Sequence, residues 1–290
     1  MTFATENIGR WVLTVKIVTD SSSDIPLELA KKLDIAVVPV YIYFGDKAYK
    51  DGVDIGPDEL YEKLVKGPVY PTTTQPIPAD FAATYSAVSK DAGAIVSIHL
   101  PTKVSGTYNA ALQGLEIDKP RCEVHVVDSM SVSAGLGLIV LAAARVAKSG
   151  GKLSEVLEET RKAISKTQIR ALLETLQYLL KGGRITKTKA LVGTLLNVKP
   201  ILKMRDGELV QAAMARSYTK GIDQLFEFAR SYPNLQEVGI SHTTVFEEAE
   251  ALKQRLASVI DEKRIQMFRV GAGLGVHGGP GTLIVAARGG

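Results

Sequence analysis

Three groups of residues in this chain have the types and spacing to hold an anion. The first, Ser105-Gly106-Thr107, sets two hydroxyls around a residue without a side chain. It falls where an apolar run at 94–100, closed by Pro101, gives way to a helical repeat of Tyr108, Ala111, Leu112 and Leu115. The free amides and positive dipole end of a helix start suit negative charge, and Gly106 lets an anion approach the backbone. An ordinary Ser N-cap accounts for the same residues. The second group, Thr72-Thr73-Thr74-Gln75, lies between Pro71 and Pro76, which hold it extended. A loop presenting several hydroxyls could cradle one polar ligand group, although threonines in loops also serve as solvated turn formers. The third is a glycine-rich loop around His277. Arg184, in a basic turn beside Gly182 and Gly183, could meet an oxyanion or simply be solvated. Asp20 and Ser21 stand at the end of a first strand, where open α/β sheets build sites, while Ser22, Ser23 and Asp24 read as capping residues.

Other chemistries find no support in the residues. There is no P-loop pattern, no HExxH and no GxSxG elbow. The GxGxxG match at 273–278 lies too near the last residue for a βαβ unit to follow. His99, His125, His242 and His277 show no metal-ligand spacing, so neither a metal nor a cofactor is expected. Thirty-five Lys+Arg against 31 Asp+Glu leave a net charge of +4, too diffuse for nucleic acid. A lone Cys122 excludes an intrachain disulfide and fits a reducing, cytoplasmic setting. Residues 1–13 lack a signal-peptide pattern and read as a tail outside the fold.

The elements that must position these groups follow from periodicity. Strands are expected at 14–19, 35–44 (one strand, bent at Pro39), 94–100 and 124–127. They alternate with helices beginning near Pro26, at 58–65, around Phe81, Tyr85 and Val88, after Ser105, at 132–147 and at 153–167. The 132–147 helix is apolar all round but short of the roughly 20 residues that span a bilayer, so it reads as a core helix. Alternation of strand and helix argues a parallel α/β domain over 14–167. Beyond it, Asp206-Gly207 between the runs 198–205 and 208–213 is a strong hairpin signal. Helices at 176–181, 186–195, 218–231 and 245–260, with strands at 237–242, 264–270 and 282–287, complete an α+β domain over 168–290. Its sheet is expected to be largely antiparallel.

Five collinear motifs carry a resemblance. TDSSSDIP at 19–26, PTTTQP at 71–76, SGTYNAA at 105–111, YLLKGGRITKTKALVGTLLNVKPIL at 178–202 and HGGPGT at 277–282 resemble the DegV family. The resemblance implies two domains with a long-chain fatty acid in a tunnel between them. It also implies the role of binding subunit of a bacterial fatty acid kinase, which presents the acyl carboxylate to a separate ATP-dependent kinase and carries the acyl phosphate. On it, the hydroxyls of Thr73, Thr74 and Ser105 and the amide of Gly106 hold the carboxylate, with His277 and Arg184 adding positive charge near the headgroup. Two departures stand out. Thr74 replaces the serine usual in the family, and Leu100-Pro101-Thr102-Lys103-Val104 replaces a serine-rich run. The family role carries no catalysis of its own, no cofactor and no membrane span, and leaves room for transient membrane contact. Two alternatives stay open: an acyl hydrolase or acyltransferase using Ser105 or Thr74 with His277, and a sensor of another small anion.

Overall fold

The computed structural model describes residues 14–185 and 198–290. The helix expected at 186–195, Lys187 and the tail before Thr14 lie outside the described residues. Apolar runs rich in Ile and Val form a four-stranded parallel sheet, ordered β2-β1-β6-β7: β1 (Val15–Asp20), β2 (Ile35–Val38), β6 (Ala94–His99) and β7 (Glu123–Asp128). Alternate side chains leave this sheet in opposite directions. Val18 and Ile95 pack with Phe81 and Tyr85 of α3 (Pro78–Val88) and Ala110 and Ala111 of α4 (Thr107–Ile117). Ile17, Val96 and Ile98 face the other way, onto α5 (Ala134–Lys148).

A six-stranded sheet lies beyond α5, ordered β10-β9-β8-β13-β11-β12: β8 (Thr167–Leu172), β9 (Lys199–Arg205), β10 (Glu208–Ala215), β11 (Leu235–His242), β12 (Ile265–Arg269) and β13 (Leu283–Gly289). Only β11 and β12 run parallel; the other pairings are antiparallel, as the hairpin signal at Asp206-Gly207 leads us to expect. Ile169, Ala171, Ile284 and Ala286 face α5. Leu172, Leu283 and Val285 face the outer helices α8 (Tyr218–Arg230) and α9 (Phe246–Leu256). The layers therefore run helices, parallel sheet, α5, antiparallel sheet, helices. α5 can lie between two sheets because it is apolar on all sides and carries glycine where the chain is tightest. A methyl group on Gly137 would stand 2.8 Å from the Ser23 carbonyl oxygen.

Several elements depart from expectation. Residues 35–44 are not one bent strand but two: β2 belongs to the parallel sheet, and β3 (Tyr41–Phe44) starts a separate antiparallel sheet, ordered β4-β3-β5. β4 (Lys47–Lys50) pairs one side of β3; β5 (Thr72–Thr74), expected as a loop, pairs the other. Thr73 and Thr74 thus sit on an edge strand, not beyond the end of a parallel one. β8 follows α6 (Leu153–Lys166) directly, with no intervening turn. The glycine-rich segment after β12 is a helix, α10 (Ala272–Gly278), packed with Ile42, Ile55 and Leu60 under the small sheet. On α4 the buried face is Thr107, Ala110, Ala111 and Gly114, whereas Leu112 is exposed. A methyl on Gly114 would stand 2.7 Å from Phe81 Cβ, so small residues decide which face meets α3.

Candidate functional site

Four segments meet near the start of α5. β5 supplies Thr73, Thr74 and the following Gln75; the loop between β6 and α4 supplies Ser105; the turn after α7 (Gln177–Lys181) supplies Arg184; α10 supplies His277. They border one cavity of about 80 Å³, partly open to solvent and smaller than the roughly 300–1,000 Å³ usual for small-molecule sites. Its remaining walls are mostly apolar: Val40, Leu100, Val104, Val132, Leu179, Leu209 and Leu274, with Ser22 the other polar residue. Gly106 does not line it. As the N-cap of α4 it lies behind Gln75, whose amide nitrogen would be 3.0 Å from a methyl placed there.

The hydroxyls are held by their neighbours. The Thr107 amide donates to Ser105 Oγ (3.3 Å), and the fully buried Thr107 hydroxyl lies 2.8 Å from the same atom. With Thr107 donating, Ser105 keeps its own proton for the cavity. Thr73 Oγ1 lies 2.7 Å from His277 Nε2, while Nδ1, buried, has no hydrogen-bond partner among the described residues. That nitrogen faces Gly182, where a methyl would stand 2.1 Å away. Tyr70, just before the threonine strand, stacks on Tyr178 of α7 (6.4 Å between centroids, 21° between planes) and donates to the Val276 carbonyl. β5, α7 and α10 are thereby pinned together.

Charge at the site comes from one group. Burial first, and the Arg184 guanidinium second, push His277 down to about 4, so near pH 7 its ring is neutral. The positive charge expected of His277 is thus absent in this state. Arg184 is exposed, and its Nη1 donates to the Gly182 carbonyl. Nor is the hydrolytic arrangement assembled: His277 meets Thr73 rather than Ser105 or Thr74, and no carboxylate orients its other nitrogen among the described residues. No group of three metal-ligating side chains occurs among the described residues, and no described helix is long and apolar enough to cross a membrane.

Two sheets sharing a core helix, with hydroxyl donors and one guanidinium lining a largely apolar cavity, define an α/β protein with a candidate site built around a cleft. A family model described as "Uncharacterised protein, DegV family" matches residues 14–288, and the chain belongs to the DegV family. It is 37% identical over 270 residues to a DegV domain-containing protein of Caldanaerobacter subterraneus, covering 92% of this chain and 95% of that one. Among solved structures it resembles a DegV family protein from Thermus thermophilus described as fatty-acid binding, at 32% identity and a TM-score of 0.87, covering 95% of this chain and 99% of the other. A stearic-acid-binding protein from Eubacterium ventriosum matches at 26% identity and a TM-score of 0.82, covering 94% and 98%.

Proposed function

We propose that this protein binds a long-chain fatty acid between its two halves, 14–167 and 168–290, and presents the carboxylate to a separate ATP-dependent kinase that converts it to an acyl phosphate. The observation that carries the reading is the lining of the cavity: neutral donors and Arg184 together with leucine and valine walls. The fatty-acid binding of the Thermus thermophilus relative supports it. In this reading a neutral His277 donates from Nε2 to Thr73 Oγ1, which frees the Thr73 proton for the carboxylate. The opposite tautomer would turn the Thr73 lone pairs toward the anion. Thr74 and Ser105 complete the grip, and Arg184 offsets the charge. Each methylene removed from water adds about 0.8 kcal/mol, so the acyl chain supplies most of the affinity. The protein itself performs no chemistry on the ligand.

Mass spectrometry of an organic extract of the purified protein tests this directly. A long-chain fatty acid is expected; sugars, nucleotides or nothing would sink the reading. Ser105→Ala should weaken acid binding about 10–100-fold, the loss of one donor to a charged acceptor, and should affect the matching fatty alcohol far less. Turnover of a nitrophenyl ester that vanishes in Ser105→Ala would instead establish the hydrolase.

A further inference from the structure

Helix α10 has little reason to be a helix by itself. Gly273, Gly275 and Gly278 fall within its seven residues, and each glycine costs about 1 kcal/mol relative to alanine. Its N-cap, Gly271, offers no side chain for the orphan amides of the first turn. Those amides are met from the first half of the chain. The Gly271 amide donates to Asp24 Oδ1 (2.9 Å), and the Ala272 amide to Asp51 Oδ1 (2.8 Å). Both carboxylates are buried, at 8% and 4% exposure. Asp24 is itself fixed by the hydroxyl of Ser133, just before α5, and Asp51 by its position at the end of β4. The glycines let the carboxylates come this close: a methyl on Gly271 would stand 3.0 Å from Asp51 Oδ2, and one on Gly273 would stand 3.1 Å from the same atom. Burial raises both carboxyls, Asp24 to about 8, so the arrangement is costly to keep.

We propose that Asp24 and Asp51 are positioning residues of the ligand site: they clamp the start of α10 and thereby set where His277, at its other end, meets Thr73. Six residues separate Gly271 from His277, about 9 Å along the helix axis, short enough for a displaced first turn to move the imidazole as a unit. Because Asp24 and Asp51 belong to one half of the chain and α10 to the other, the clamp also registers the two halves at the cavity. The proposal rests on the carboxylate-binding reading for one of its two readouts only.

The test uses the full chain with Asp24→Ala, Asp51→Ala and the matching asparagine variants. The first readout needs no ligand: the ring ¹⁵N resonances of His277, assigned by their loss in His277→Gln. They should shift in both alanine variants and stay in place in the asparagine variants, whose amide oxygen still accepts from the helix. The second is affinity for a long-chain acid and for the alcohol of equal length. Each alanine variant should lose about 10-fold for the acid and under about 3-fold for the alcohol. Unmoved His277 resonances, or equal losses for acid and alcohol, would overturn the clamp. If an alanine variant does not fold, the asparagine variants decide: a loss well beyond about 2-fold in both overturns the proposal. Moved resonances in a protein that binds neither acid nor alcohol would uphold the clamp and reject the fatty acid.

Discussion

His99 and His277 each lie 2.7 Å from a hydroxyl oxygen, yet they belong to opposite kinds of environment. His99 holds Ser97 on one nitrogen and Asp20 on the other (2.8 Å); Tyr85 donates to Ser97, and Asp20 also accepts from the Ser22 amide (3.0 Å). This is a Ser-His-Asp series with every member fully buried and every polar atom matched, and none of the three borders the cavity. Among the described residues His277 has one hydrogen-bond partner and one unpartnered nitrogen, and it borders the cavity. Donor–acceptor geometry alone does not mark a site; a ring with an unmet hydrogen-bonding atom in the wall of a cavity does.

The sharpest way to break this contrast is to truncate both rings. His99→Ala strands a buried carboxylate and a buried hydroxyl and should cost roughly 3–5 kcal/mol in urea unfolding, with the acid-to-alcohol preference unchanged. His277→Ala should cost under about 1 kcal/mol of stability while acid affinity falls, because only one modest hydrogen bond is lost. Similar stability losses in both would erase the distinction.

A smaller effect is set by pH. The His277 pKa is lowered on folding from 6.5 to about 4, so above pH 6.5 its contribution is complete. As pH falls from about 6.5 toward 4, the unfolded chain takes up a proton that the folded ring refuses, and stability is lost. The loss in ligand-free protein should approach roughly 3 kcal/mol and be missing in His277→Gln. A bound carboxylate should shrink it. Equal acid sensitivity of wild type and His277→Gln would show that the ring is not held neutral.

Smaller still is Gly182→Ala. The Gly182 backbone is ordinary helical, at φ −74°, so the main obstacle to a methyl is the imidazole 2.1 Å away, with the Tyr178 carbonyl oxygen next at 3.2 Å. Acid affinity should fall about 10-fold with thermal stability nearly unchanged. Gly106→Ala should do least, within about 3-fold, because its methyl meets the movable end of Gln75. A larger loss there would place Gly106 in direct contact with the anion.

What could be read from the sequence was whatever is encoded locally. Asp206 and Gly207 have left-handed φ values of 52° and 77°, as a hairpin turn of those residues requires. The parallel strands announced themselves as Ile and Val runs. The hydroxyl clusters were visible because several donors in a row are unusual beside prolines and helix starts. α10 was not, because its caps come from residues 221 and 247 positions away. β8 was missed because no glycine or proline separates it from α6. The face of α4 was misread because bulk was weighted over fit: Gly114 and Ala111, not Leu112, meet the neighbouring helix. Thr107 went unrecognised as the partner of Ser105 because a helix-start threonine looks the same whether or not it orients a neighbour.

α5 gives its apolar surface to both large sheets, so neither can keep a sealed interior once the other is gone. Calorimetry should record one melting transition rather than two, and the slowest-exchanging amides should be shared between β1, β13 and the helix between them. The same sharing restricts traffic. Prising the halves apart like a hinged shell would expose the whole length of that helix to water, so a guest must slip in and out through rearrangement at the rim while the centre stays shut.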